Sequence, residues 1–563
     1  MNLENAYDLI LVGSGNGACG FLSKYLDQFK DLKQSDSPRI LVLESGKDFF
    51  DTSDITHQNN WTKSYAEGKI FQLHNAQTPD DVPIISGWAN TMGGGGSINY
   101  AMIHESSSWL SAHIGQDVDY WDKLKYELND RLECLNPTQR QTQLTKYILQ
   151  SAEEEGFRPQ DPKNHIRNIP SYRDLPDGNS NQLYLFSTQF NSFGQRTHSG
   201  VSLIDELYNR IDLITLCQVT RLQFDQTKPG DLRCKAVQVK YVDKEETDSF
   251  FLKEEGRIIL CAGAATPRLL MPHSQALNNP EIGKHASDHI AIPLGIYRLK
   301  EKDRLGKELH VTPRDNYASI FATTVWQPRA DEPGHATVCT FEFFTGNFER
   351  LWFFISHIYL AFLLPNFIKK IMIRTPRLFN SFKMIRFLVE KLNAVFNLGE
   401  EFDLITAIVK FNPAAEGEYL REDNRINLSF FKADQDKKVA ETVITQQLPL
   451  MEKLGDKPHW CLQLILRFFD IPFDKSQVNK YLDRYSKKYL LSQQHMAGGC
   501  LFGKAIDNGV VNPDHTGKVY GSTNVHVADL SASPLPRVSP QMTAYLIGFH
   551  VATQLLQRFG RLG

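Results

Sequence analysis

Tyr7-Asp-Leu-Ile-Leu-Val-Gly-Ser-Gly-Asn-Gly-Ala18 decides the fold. Its first six residues are an apolar run that reads as a buried strand. The turn Gly13-x-Gly15-x-x-Ala18 follows at once, and the residues beyond it open a helix. A second strand, Arg39-Ile-Leu-Val-Leu-Glu44, ends in an acid. In this strand–helix–strand order each residue type has a task. Gly13 and Gly15 permit a tight turn and close main-chain approach to a pyrophosphate. The helix N-terminus turns unpaired N–H groups toward its charge, and Glu44 accepts hydrogen bonds from a ribose. The stretch therefore predicts a dinucleotide site made of Gly13, Ser14, Gly15, Asn16, Gly17, Ala18, Glu44 and Ser45. The gap from Gly15 to Glu44 is longer than usual, and the polar residues 27–38 account for it as a loop. The alternative is an ordinary glycine-rich turn in some other α/β protein.

At 563 residues the chain exceeds one simple core, so two domains are expected. A formal charge of −3 argues against a general nucleic-acid binder. Eight cysteines (19, 134, 217, 234, 261, 339, 461 and 500) are scattered without a Cys-x-x-Cys pair, which argues against a zinc site or a disulfide framework. No metal is expected, and Cys261, inside an apolar run, reads as a buried thiol. The N-terminus reaches Tyr7 without a basic segment and apolar core of the secretory type, which points to a cytoplasmic, reducing setting.

Helix-like spacing covers residues 120–135 and 141–155, and a closing helix is expected at 541–558. Strands are expected at 212–219, 235–242, 257–261 and 524–528. Nucleotide-type elements thus occur at both ends and in the middle. The expected fold class is α/β: a Rossmann-like domain assembled from 1–110, 198–290 and 488–563, with an α+β substrate domain of sheet and helix from 111–197 and 291–487.

Further blocks follow in a fixed order. They are Met92-Gly-Gly-Gly-Gly-Ser-Ile-Asn99, Gly194-Gln-Arg-Thr-His-Ser199 ahead of the strand at Val219, and Cys261-Ala-Gly-Ala-Ala-Thr-Pro-Arg-Leu-Leu-Met271. Ile282-Gly-Lys-His-Ala-Ser-Asp-His289 and Asn524-Val-His-Val-Ala-Asp529 complete the series. Together with the first turn they resemble the glucose–methanol–choline (GMC) flavoprotein oxidoreductases, over about half the chain. The block at Cys261 is one residue short before Thr-Pro. The resemblance implies FAD, with Gly93, Gly94, Gly95, Gly96 and Asn99 passing the flavin ring and the main chain of Val219 holding the adenine. It adds Ala262, Gly263, Asp529, Pro540, Gln541 and Met542 to the cofactor residues. Some members tether the flavin through a histidine just before that asparagine; Ile98 stands there, so FAD is expected to be non-covalent. His289 reads as structural, in a linking position.

Flavin-dependent alcohol oxidation needs a base for the hydroxyl proton and a carbinol carbon near flavin N5. Gln494-His-Met-Ala-Gly-Gly-Cys500 looks like the family's catalytic block, which makes His495 the base; its Ala-Gly-Gly-Cys is closest to sterol and long-chain alcohol members. The second catalytic position departs from the pattern. Where the family has Asn or His before Pro, this chain reads Arg537-Val-Ser-Pro-Gln-Met-Thr543. Ser539 can orient a substrate oxygen but is no base near neutral pH. The reading is an FAD-dependent alcohol dehydrogenase or oxidase that passes electrons to O2 or another acceptor. A flavin photoenzyme of the fatty-acid decarboxylase kind, a lyase on the same fold, and a non-catalytic FAD-bearing lipid-binding protein stay open because of Ser539.

Residues 351–364 form the most apolar run in the chain, too short to span a bilayer, which takes about 20 residues. Lys369, Lys370, Arg374, Arg377, Lys383, Arg386 and Lys391 follow. This insert, near 351–396, reads either as a peripheral surface for anionic membrane or as a buried helix with a solvated basic edge. Both favour a fatty alcohol, sterol or terpenoid over a sugar, whose site needs many polar partners.

Overall fold

The structure, a computed structural model, describes residues 6–31, 37–48, 70–99, 102–103, 107–129, 142–159, 181–185, 187–188, 196, 210–225, 231–244, 246–303, 305–310, 320–326, 335–344, 365–368, 370, 387, 391, 404–421, 424–457, 463–464, 467, 471–472, 474–488, 490–503, 508–512, 514–536 and 539–559. The elements that frame the site are, in chain order, β1 (Tyr7–Val12), α1 (Asn16–Asp27), β2 (Ile40–Leu43), β3 (Asn75–Gln77), β4 (Pro83–Ile85), α2 (Val118–Asn129) and α3 (Gln143–Glu154). Next come β5 (Ile211–Ile214), β6 (Cys217–Asp225), β7 (Arg233–Tyr241), β8 (Thr247–Leu260), α4 (Thr266–Leu270), β9 (Ile290–Leu299) and β10 (Leu404–Phe411). The last are α5 (Asp434–Leu454), α6 (Val478–Lys488), β11 (Leu490–Ser492), β12 (Val525–Val527) and α7 (Gln541–Phe559).

Strands β5, β2, β1, β8 and β12 lie side by side in parallel, with Leu9 opposite Ile40 and Arg257, and Ile258 opposite Val525. Their near-continuous apolar sequence follows from burial on both faces. On one face α1 and α7 pack Phe21, Tyr25, Tyr545 and Phe549 against Leu9, Leu11 and Ile259; on the other, Ile10, Val12, Leu41 and Leu260 pack with Val237 and Val239. The expected strand at 212–219 is two strands. Leu216 takes a positive φ of 53°, and there the chain leaves the parallel sheet to enter the antiparallel β6–β7–β8 hairpins. The expected short strand at 257–261 is the end of the 14-residue β8, which serves both arrangements.

Among the described residues a second, 13-stranded sheet runs through β3, β4, β11, β9 and β10 and on through the strands His335–Phe344 and Ile320–Trp326. Helices α3, α5 and α6 cover it, with Ile148, Val443, Ile444 and Leu482 buried against Ile292, Leu294 and Val409. Two packing details depart from the expected segments. Trp121, Leu124 and Leu128 of α2 join the core of α1 and α7, while β3, β4 and β11 belong to the second sheet. The apolar run 351–364 and most of the basic stretch lie outside the described residues.

Candidate active site

The carboxyl ends of β1, β2, β8 and β12 meet the second sheet around a cavity of about 820 Å³, within the roughly 300–1,000 Å³ usual for ligand pockets. Gly13, Ser14, Gly15, Asn16 and Gly17 line one side, beside Glu44 and Ser45. Gly13 has φ +97°, and a Cβ there would stand 2.6 Å from the Cys261 carbonyl oxygen, so only glycine fits. Gly94 and Gly95 bring the second glycine-rich stretch to the same wall, which continues through Asn99, Val219, Ala262 and Gly263. Asp529, Pro540 and Gln541 also line the cavity.

Buried hydrogen bonds fix these loops. Glu44 Oε2 accepts from Ser14 N (3.0 Å) and Ser14 Oγ (2.7 Å), and its Oε1 accepts from Gly46 N (2.8 Å) and Ser45 Oγ (3.3 Å). Ser14 Oγ also accepts from Gly93 N at 3.0 Å, tying the two glycine turns together. The residue read as a ribose acceptor thus also holds the turn. Asp529 accepts from Gly263 N (2.8 Å), Thr266 Oγ1 (2.6 Å), Ser531 N (2.8 Å) and Ser531 Oγ (2.6 Å), and burial raises its carboxyl pKa. Arg196 donates to Gly96 O (3.0 Å), Asn99 Oδ1 (2.9 Å) and Asn99 O (2.6 Å), and Asn99 Nδ2 donates to Gln541 Oε1 (2.8 Å). The glycine stretch is therefore clamped to the first turn of α7.

His495 and Ser539 stand on the cavity wall, and so does His289. Nδ1 of His289 lies 2.9 Å from Nδ1 of His495, with the ring planes at 84°. Nε2 of His289 reaches Pro536 O at 2.8 Å. Asp288, fully buried, accepts from His495 N (2.8 Å) and Ser86 Oγ (3.2 Å). Burial pushes the Asp288 carboxyl up to about 7, against the hydrogen bonds it accepts. Burial, and then the Lys410 ammonium, push His289 down to about 3. Lys410 itself is 7% exposed and lines the cavity two residues after Ile408 on β10.

A GMC oxidoreductase family profile matches residues 11–291, and the C-terminal GMC oxidoreductase profile matches 419–548. The chain is a GMC oxidoreductase. As a member of that family it is an FAD-dependent oxidoreductase. Solved structures of similar fold include formate oxidase, among them that of Aspergillus oryzae RIB40, at 17% identity over 99% of both chains with a TM-score of 0.68. Pyridoxine 4-oxidase from Mesorbium loti matches at 15% identity over 98% of this chain and 99% of its own (TM-score 0.66). An FAD-dependent oxidoreductase from Chaetomium thermophilum does so at 13% over 98% and 99% (0.63). At these identities the likeness concerns the fold alone. No curated protein matches the sequence.

The residues of this GMC oxidoreductase fit FAD. A Cβ at Gly95 would meet nothing within 4 Å, so the glycine leaves the wall open where a flat ring needs room. Asn16 Oδ1 is buried at the cavity's edge without a hydrogen-bond partner, and the N-cap of α1 has no side-chain cap. Four of the expected cofactor residues do not line the cavity. Ala18 and Met542 turn into the core because helical phase points them at the sheet, while Gly93 and Gly96 act through the bonds to Ser14 and Arg196. Asp288 and Lys410 were not singled out by sequence reasoning, and His289, read as structural in a linking position, stands directly against His495.

Proposed function

We propose that the cavity oxidises the CH–OH group of an apolar alcohol (a fatty alcohol, sterol or terpenoid), with His495 taking the hydroxyl proton and Ser539 orienting the oxygen. The observation that carries this reading is the company His495 keeps: Ile85, Ile98, Ala291, Pro293, Ile408 and Leu491 share its cavity. Such walls bind hydrocarbon, whereas a sugar would need each of its hydroxyls paired along them. FAD, when bound, supplies the hydride acceptor for the carbinol carbon. Ile98 argues for non-covalent attachment. The Ala-Gly-Gly-Cys after Met496 supports kinship with sterol and long-chain alcohol members. Electrons then pass to O2 or another acceptor.

For the domains, the packing supports a cofactor-binding body drawn from 1–110, 198–290 and 488–563 and joined by α2, with β3, β4 and β11 going to the substrate side together with the remainder. The basic stretch near 369–391 supports peripheral membrane association, tested by flotation with anionic liposomes at low salt. The decisive test is anaerobic mixing with long-chain primary alcohols, then sterols and terpenoids. Bleaching of the flavin band is expected, and His495→Ala slows it at least about 100-fold. A flavin that stays oxidised with all of them would remove alcohol oxidation in favour of a photoenzyme, a lyase or a non-catalytic FAD-bearing protein.

A further inference from the structure

We propose that His289 is a positioning residue that holds His495 in its Nδ1–H tautomer and so makes Nε2 the nitrogen that accepts the substrate proton. This rests on the reading of His495 as the base.

The assignment follows from which atoms can donate. Pro536 O only accepts, so the His289 Nε2 that reaches it at 2.8 Å carries a proton. A second proton on His289 is opposed by its burial, at 1% exposure, and by Lys410 on the neighbouring strand. The other groups against it are His495 and the Asn412 side chain, whose hydrogen bond, like that of Pro536 O, favours the charged ring without outweighing burial; Asp288, one residue before it, is turned to the His495 main chain. Nδ1 of a neutral His289 is therefore a bare acceptor. His495 Nδ1 stands 2.9 Å away, and only His495 can supply the hydrogen between them. A neutral imidazole has one N–H, so the lone pair of His495 is on Nε2. The main chain is fixed as well, because His495 N donates to Asp288 Oδ1 at 2.8 Å. Two consecutive residues thus grip the backbone and the ring of His495. When the proton moves from the substrate oxygen to Nε2, the O–H bond breaks, an N–H bond forms, and the Nδ1–H bond to His289 becomes charge-assisted.

The test uses the FAD-loaded protein with ¹⁵N-labelled histidine, the His495 signals being those absent from His495→Gln. Long-range ¹⁵N–¹H spectra are expected to show Nδ1–H for His495 in the native chain. His289→Leu shifts it to Nε2–H and slows flavin reduction by about 100-fold. His289→Asn, whose Oδ1 replaces the Nδ1 acceptor, restores Nδ1–H and most of the rate. An Nε2–H tautomer in the native protein, or Nδ1–H surviving in His289→Leu, overturns the proposal. An unchanged rate in His495→Ala would instead refute His495 as the base, while the spectra would still decide the tautomer.

Discussion

Replacing Gly548 and Gly95 by alanine separates space needed by the fold from space kept for a cofactor. Helices α1 and α7 meet through Gly17, Gly20 and Gly548. A Cβ at Gly548 would overlap the Gly17 carbonyl oxygen and stand 2.8 Å from Gly17 C and 2.9 Å from Phe21 N, where Cβ contacts essentially never fall below 3.0 Å. The obstacle is backbone, so the helices must separate by on the order of 1 Å, which forfeits about a quarter to a half of each dispersion contact along the seam. Overpacking costs about 1–3 kcal/mol, and the upper end applies here. Alanine returns about 0.5–1 kcal/mol over glycine inside a helix. The net is a loss of about 2 kcal/mol, or a fall in Tm of roughly 4–8 °C for a cooperative unit of 150–250 residues. Gly95→Ala meets nothing within 4 Å, so its apoprotein melts at or slightly above the native temperature. Its Cβ occupies the cavity wall, and FAD affinity falls at least about 10-fold, 1.4 kcal/mol. Scanning calorimetry of both apoproteins and a flavin fluorescence titration decide the matter. A native Tm for Gly548→Ala, or native FAD affinity for Gly95→Ala, would refute the reasoning.

Other substitutions probe the loops and the buried charges. Asp529→Ala strips partners from Gly263 N, Thr266 Oγ1 and Ser531; at about 1–3 kcal/mol per orphaned donor, the urea midpoint drops sharply, and an unchanged midpoint would dismiss the network. Arg196→Met releases Gly96, Asn99 and through it Gln541, so FAD affinity is expected to fall about 10-fold, 1.4 kcal/mol, as equilibrium dialysis would show. Among the described residues His74, His273, His289, His515, His526 and His550 are held below 6.5, chiefly by burial, while the aspartates with a net upward shift are Asp288, Asp436 and Asp529, again chiefly by burial. A lowered histidine contributes stability in full above its unfolded pKa and loses it as pH falls toward its folded pKa; the raised aspartates act in the opposite sense. The histidines outnumber them, so urea unfolding should show stability falling from pH 6.5 toward 4, by about 1.4 kcal/mol per pH unit for each uncompensated histidine. A flat profile would contradict this.

Much of the nucleotide-binding sheet was legible because its signals are local. Tyr7–Val12 and Ile40–Leu43 are apolar runs beside a glycine turn and an acid, and each forms the strand its pattern gives. The grip on His495 was not legible, since it depends on a register between strands 200 residues apart. Ile290 pairs with Ser492, antiparallel, and this sets residues 288–289 opposite 493–495. No spacing along the chain reports that. Ala18 and Met542 pack in the core for a smaller reason: a motif names positions, whereas helical phase decides which side chains face the cavity. Nor does hydropathy tell that Trp121 packs with Phe21 and Tyr545 rather than with the neighbouring sheet, since all cores favour the same side chains.

Strand β8 has a consequence for how the chain matures. Its C-terminal half is the parallel partner of both β1 and β12, so an inner strand of the sheet lies near the middle of the sequence. Translation adds about 5–20 residues per second. The strand at Tyr7–Val12 therefore waits on the order of ten to fifty seconds for residues 257–260, and the sheet cannot close on residues 525–527 until almost the whole chain has emerged. During that interval β1, with its apolar run Leu9–Val12, has no partner on one side. Nascent chains interrupted before residue 260 should be targets for chaperones and prone to aggregate, and no N-terminal fragment that stops short of β8 can serve as an independent nucleotide-binding module.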